Sequence, residues 1–298
     1  MQHTLTLVAG AQAGGLDHST LAAARSALAA AGARVGEPQW LAPGLAADLP
    51  FEGLGGRHAE AAARQALVPL PLDLLAQPSL GRRKRLLMAD MDSTIVGIET
   101  LDELADFAGV KDRIAAITER SMRGEIDFEA ALVERVAMLE GLPEEALEGT
   151  WQRVFLVPGA ATLVRTMGKA GAYTALVSGG FRFFSRRVRA LVGFDYDEAN
   201  ELEIADGRLT GRVVPPVVNR DGKRAALERL SRKLGIPLDA TLAVGDGAND
   251  MRMIEAAGLG VAYRGKPTLA AAARARVDHG DLTALLYFQG YRREEFAA

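Results

Sequence analysis

From residue 85 onward, short apolar runs of strand length alternate with helical patterns, and that alternation leaves few folds open. RLLMAD, AYTALVSGG, ATLAVGDGAND and LGVAYRG supply the apolar runs, while AATLVRTMGKAG, KRAALERLSRKLG and NDMRMIEAAG supply the helices among them. Strands that are apolar on both sides need cover on both faces, so the pattern predicts an α/β fold, a parallel sheet with helices on either side. Three of the runs end in a polar residue: Asp90, Ser178 and Asp246. In an open parallel sheet ligands bind beyond the carboxyl ends of the strands, which places these endings at one edge and in one site.

The first ending carries two carboxylates, Asp90 and Asp92, and GDGAND carries two more, Asp246 and Asp250. The chain has no cysteine and only four histidines, none of them in these runs. Acids gathered this closely raise one another's pKa unless a cation neutralises them, and an all-oxygen set suits a hard divalent ion such as Mg²⁺. Glycines flank the acids in GDGAND and follow Ser178 in VSGG, which frees backbone N–H groups to approach an anion. Lys223 opens a helix after VVNRDGK and brings a positive charge to the same edge. Metal, lysine, hydroxyl and bare amides describe a phosphoryl site. The chemistry fits an aspartate that takes the phosphoryl group covalently while a neighbouring acid moves the proton.

The remaining segments set the organisation. Residues 1–79 read as a small α/β module of roughly β-α-β-α-β order, in which Asp17 or Ser19 caps the Ala-rich first helix and Gly32 ends it. QPSLGRRKR reads as a linker with a solvated basic run, and residues 80–298 as the second domain. About residues 97–156 carry three helical patterns inserted after the first motif, a small cap able to exclude water from the site. FDYDEANELEIADGRLTGRVV reads as a hairpin turning at DGR, with solvated acids. LLYFQGYRREEFAA contains the letters of a protease-cleavage tag, but DLTALL before it does not complete one, so the segment is read as native.

Composition demotes other function classes. A net charge of -3 disfavours a nucleic-acid binder, which would usually carry a basic excess. The absence of cysteine fits a reducing cytosol, and no basic n-region or uninterrupted apolar run of about eighteen residues marks a targeting or membrane segment. A cytoplasmic protein is expected, with no nucleic-acid or membrane partner.

DMDST, SGG, Lys223 and GDGAND resemble, in order and spacing, the four motifs of the haloacid dehalogenase superfamily, and roughly 80–298 is similar to its phosphoserine phosphatases. The resemblance implies a Rossmann-like core with a helical cap and an Mg²⁺-dependent hydrolysis of phosphoserine, the last step of serine biosynthesis. It implies Asp90 as nucleophile and metal ligand, Asp92 as acid/base with its main-chain carbonyl on the metal, and Asp246 as the remaining ligand. Ser178, Gly179 and Lys223 would hold the phosphoryl oxygens, with Asn249 near the substrate and Asp250 supporting Lys223. In the cap it implies Glu99 for the substrate ammonium, Arg135 for its carboxylate, and Met122 and Phe128 as apolar wall. The N-terminal module resembles ACT-like regulatory domains, yet its first loop reads GAQAGGLDHS instead of an Asp-Arg-Pro-Gly-like run. A structural or dimerising role, through a homodimer, is expected of it. The same fold and chemistry also suit a phosphatase or phosphotransferase acting on another small phosphomonoester. A decayed binding protein is disfavoured because every catalytic acid is present.

Overall fold

The computed structural model of the chain describes residues 1–10, 14–122 and 125–297, and the side chains of Met122 and Phe128 fall outside that description. The N-terminal part runs β1 (His3–Ala9), α1 (His18–Ala30), β2 (Arg34–Val35), β3 (Gln39–Ala42), β4 (Ala46–Glu52), α2 (Gly56–Ala66) and β5 (Leu72–Pro78). Its strands form a sheet in the order β2-β4-β1-β5, with β3 also on β4, and both neighbours of β1 run antiparallel to it. Asp17 caps α1 by accepting the Thr20 N–H at 2.7 Å. The expected element order gains β4, whose AADLPFE reads poorly as a strand because Asp48 and Pro50 interrupt it. Leu5, Leu7 and Leu49 on one face of the sheet pack with Leu21, Leu28 and Ala63 of the two helices.

The second part opens with β6 (Leu86–Ala89), followed by α3 (Thr100–Phe107), α4 (Lys111–Met122), α5 (Phe128–Ala137), α6 (Glu145–Trp151) and α7 (Ala160–Lys169). Next come β7 (Tyr173–Phe181), α8 (Arg182–Val192), β8 (Tyr196–Ala205), β9 (Arg208–Val214) and α9 (Arg220–Leu234). The chain closes with β10 (Thr241–Gly245), α10 (Met251–Ala256), β11 (Leu259–Tyr263), α11 (Pro267–Ala272), β12 (Ala275–Val277) and α12 (Ala284–Phe288). The strand order is β12-β11-β10-β6-β7-β8-β9, parallel except where β9 returns along β8 through Asp206 and Gly207, both at positive φ. Leu87, Ala89, Leu176 and Val244 face a core shared with Leu163 of α7 and Val188 of α8. Leu86, Met88, Ala175 and Ala243 face the opposite core with Leu227 of α9 and Ile254 of α10. Burial on both faces is why these strands are apolar throughout. The chain leaves β6 toward β7 on one side and later returns to β10 on the other, so the sheet's switch point lies at the end of β6.

The two parts share one core. Tyr287 and Phe288 are fully buried, and α12 packs in the cluster that joins Val8, Ala46 and Leu75 of the first sheet to the second. The letters resembling a cleavage tag therefore belong to a structural helix. The basic run at the junction is not simply solvated either. Arg82 donates to both oxygens of Asp48 at 2.6 and 3.0 Å, to Thr6 Oγ1 at 2.9 Å, and to the carbonyls of Tyr287 and Phe288. Asp48 is buried in β4 because Arg82 meets it there. Among the described residues no helix is long and apolar enough to cross a membrane.

Candidate active site

Asp90 follows β6 directly, with its N–H bonded to the Val244 carbonyl of β10, so the pairing of the two strands carries Asp90 and Asp246 to the same edge. Ligand oxygens of Asp90, Asp246 and Asp250 lie within 4.8 Å of one another, all buried. Lys223, in the first turn of α9, is fully buried and places its ammonium 2.7 Å from Asp90 Oδ1 and 2.6 Å from Asp250 Oδ1. Burial alone would pull that lysine down, but Asp250 and Asp90 hold it above its ordinary value and therefore charged. Asp250 Oδ2 accepts the Gly247 N–H at 3.1 Å, so both of its oxygens are engaged by the protein. A side chain at Gly245 would collide with that carboxylate, which is why a glycine precedes Asp246.

The other acids are less well met. Among the described residues Asp246 receives only a long 3.4 Å contact from Thr94 Oγ1, and burial together with Asp250 and Asp90 pushes its carboxyl up to about 8. Asp92 accepts Thr100 Oγ1 at Oδ2, 3.0 Å away, while its Oδ1 is buried with no hydrogen-bond partner. Burial, then Glu99 and Asp90, push Asp92 well above the usual carboxylate range. Glu99 is raised by burial and partly relieved by Ser93 Oγ at 2.6 Å. An excess of desolvated carboxylate of this kind is what a bound divalent cation would correct. Because Asp250 is already committed to Lys223 and Gly247, Asp90 and Asp246 are the better cation ligands of the cluster.

A pocket of about 500 Å³ opens above this edge, lined by Asp90, Asp92, Ser178, Gly179, Asp246 and Asn249 on the sheet side. Glu99 and Arg135 line it from the helices α3 to α6, a set in which α6 joins the three expected helices. Arg135 is buried, its Nε on the Ala131 carbonyl at 3.1 Å and its Nη1 on Thr118 Oγ1 at 3.0 Å. Of the residues singled out in the sequence, Lys223 and Asp250 lie behind Asp90 instead of on the pocket wall, and the Met122 and Phe128 side chains fall outside the described residues. Thr100, Thr118 and Asn200 carry no mark in the sequence, because their partners, 8 to 21 residues away, meet them only in the fold. Thr94 does have a local signal, since it stands in DMDST two residues after Asp92. The acids of β8 are not all solvated: Asp197 is buried and bonds Ser185 Oγ and Arg189.

Comparison with known proteins adds to this geometry. The family model of haloacid dehalogenase-like hydrolases matches residues 87–255. The phosphoserine phosphatase of Archaeoglobus fulgidus is 47% identical over 218 residues, 72% of this chain but 63% of that protein, so the chain spans less than two thirds of its length. The phosphoserine phosphatase of Idiomarina loihiensis is 45% identical over 201 residues, 67% of this chain and 91% of that protein. A solved haloacid dehalogenase family hydrolase from Salmonella enterica superposes with a TM-score of 0.84 at 28% identity, covering 96% of this chain and 98% of that one.

Proposed function

This chain belongs to the haloacid dehalogenase-like hydrolases, and from that membership we propose that it hydrolyses O-phospho-L-serine to serine and phosphate through an aspartyl-phosphate at Asp90. The observation that carries the substrate is one pocket with an acid edge below, backed by Lys223, and with a buried arginine and a glutamate above. Phosphoserine has a group for each: a phosphate, a carboxylate for Arg135 and an ammonium for Glu99.

The contacts support the following roles. Asp90 spends Oδ1 on Lys223 and on the Met91 N–H at 2.7 Å, which leaves Oδ2 to attack phosphorus. Burial, Glu99 and Asp90 push Asp92 above the usual carboxylate range, which favours a carboxyl whose unpartnered Oδ1 can give a proton to the departing serine oxygen, then take one from the attacking water. Ser178 and Gly179 would hold the phosphoryl oxygens from the pocket wall and Lys223 from behind Asp90, with Asn249 near the substrate and Asp250 keeping Lys223 charged and in place. Asp90, the main-chain carbonyl of Asp92 and Asp246 would hold Mg²⁺, which supplies charge neutralisation for the transferring phosphoryl group. The helices within about residues 97–156 exclude water, with Met122 and Phe128 as their proposed apolar wall. Residues 80–298 are the catalytic domain in this reading, and residues 1–79 an ACT-like structural or dimerising part. A cytoplasmic enzyme fits the lack of cysteine.

Phosphate release from a panel of phosphomonoesters, with and without Mg²⁺, tests the assignment: phosphoserine should be preferred and turnover should need the ion. Arg135→Ala sharpens it. Truncating one partner of a buried charge pair costs about 2–5 kcal/mol, so kcat/KM for phosphoserine should fall roughly 30- to 4,000-fold. Para-nitrophenyl phosphate has no carboxylate and should lose less than about tenfold, provided the cap closes. Equal losses on both substrates would assign Arg135 to the cap and remove the case for phosphoserine.

A further inference from the structure

Asn200 stands in β8, opposite Phe181 of β7, at the step where the register between the two strands shifts after Val177. It is almost wholly buried, and both ends of its amide are used across that break. Nδ2 donates to the Gly179 carbonyl at 2.8 Å, and Oδ1 accepts the Val218 N–H at 2.6 Å. One partner is an acceptor and the other a donor, so the amide can sit in only one orientation.

Each partner belongs to a segment that meets the phosphoryl group. The peptide between Gly179 and Gly180 is planar and trans, so holding its carbonyl toward Asn200 turns the Gly180 N–H the opposite way. There it donates to Ser178 Oγ at 2.9 Å. With a lone pair of Oγ occupied, the Ser178 hydroxyl hydrogen is free to donate into the pocket that Ser178 lines. The fit is tight: a Cβ at Gly180 would stand 2.9 Å from Asp92 Oδ2 and 3.1 Å from Ser178 Oγ, so a tilt of this peptide reaches both. At the other end, Val218 precedes Asn219, the cap of α9, whose first turn carries Lys223.

We propose that Asn200 is a positioning residue that sets the Ser178 hydroxyl as a phosphoryl donor and fixes its place relative to Lys223. The proposal rests on the phosphoryl roles given above to Ser178 and Lys223, and does not depend on which phosphomonoester is the substrate. A purely structural asparagine would lower stability without regard to Ser178. A positioning one acts through it.

The test is a double-mutant cycle of Asn200→Ala and Ser178→Ala, with kcat and KM measured on phosphoserine and on para-nitrophenyl phosphate, and inhibition by inorganic phosphate followed in parallel. In the wild-type background Asn200→Ala should lower kcat/KM on the order of 10²-fold, the usual cost of a small misplacement, and equally on both substrates. It should weaken phosphate inhibition as well. In the Ser178→Ala background the same change should cost no more than about threefold, because coupled residues are not additive. If Asn200→Ala does not fold, Asn200→Asp keeps an acceptor for Val218 while losing the donor to Gly179, and carries the same cycle. Equal fold-losses in the two backgrounds would overturn the proposal. A wild-type enzyme that cleaves para-nitrophenyl phosphate but ignores phosphoserine would overturn the substrate assignment instead, and the cycle would still be readable.

Discussion

Two groups of buried acids in the molecule are treated in opposite ways. At the junction of the two sheets, Asp73 accepts the N–H groups of Asp278 and Gly280 at 2.8 and 2.7 Å and that of His279 at 3.2 Å, while Asp48 holds Arg82 and the Thr6 hydroxyl. At the end of β6, Asp92 keeps one oxygen without a partner and Asp246 has a single long contact. A buried charge left short of partners is costly, so a fold keeps such a group where a ligand will complete it. The junction acids hold the protein together; in the proposed function the acids at the sheet edge are completed by a cation and a phosphate.

The largest effect that could break this comparison is on turnover. Asp90→Asn should reduce kcat on the order of 10⁶-fold, as loss of a covalent nucleophile does elsewhere. Asp92→Asn should cost roughly 10²–10⁴-fold, the usual contribution of acid–base assistance. Because Asp92 is crowded by Glu99 and Asp90, that variant should also melt no lower than the wild type. Normal turnover in the Asp90 variant, seen by single-turnover phosphate release, would remove the covalent mechanism.

The junction should respond in the reverse sense. Arg82→Ala leaves Asp48 buried without its cation, which should cost about 3–5 kcal/mol in denaturant unfolding while kcat/KM of the folded fraction stays within about twofold. The N-terminal part holds none of the catalytic motifs, and on sequence alone it would be dispensable for chemistry. Its sheet nevertheless covers α12, so a chain beginning at Gln77 would expose Tyr287 and Phe288 and should aggregate or melt well below the full chain. A monomeric, cooperatively folded truncation would show that the shared core is not needed.

The smallest effect lies on α1. The Thr20 backbone N–H, with the Ser19 hydroxyl, holds the Asp17 carboxyl down at about 2, below its ordinary 3.8. A depressed folded value means that the cap's contribution is present above about 3.8 and fades as pH falls toward 2. The gap in melting temperature between wild type and Asp17→Ala should therefore close over that range. A gap independent of pH would mean that the carboxylate charge plays no part.

The edge of the second sheet was legible because local rules and tertiary context agree there. Apolar runs ended in Asp90, Ser178 and Asp246, and the strand pairing brought those ends together. β4 was not legible, since Asp48 is tolerable in a buried strand only with Arg82, 34 residues away in the chain. Asn200 sits in the acid-rich DEANELE, which reads as solvent-facing until the broken register with β7 supplies partners for its amide. β12 is three residues long, too short for periodicity to reveal. Apart from β12, what stayed hidden is a polar group whose partner is distant in sequence.

The central claim, that the acids at the sheet edge are completed by a divalent cation, is tested most directly by melting the protein from pH 4 to 8 with and without Mg²⁺. Asp246 is raised from 3.8 to about 8 in the folded state, so without the ion its contribution to stability is present below about 4 and is lost as pH rises through about 8. Saturating Mg²⁺ should restore the high-pH melting temperature, by about 2.7 kcal/mol at a hundredfold excess over its dissociation constant. Asp246→Asn should show a shallower decline with pH and little response to the ion. A wild-type curve that Mg²⁺ leaves unchanged, or an equal Mg²⁺ response in Asp246→Asn, would contradict the account.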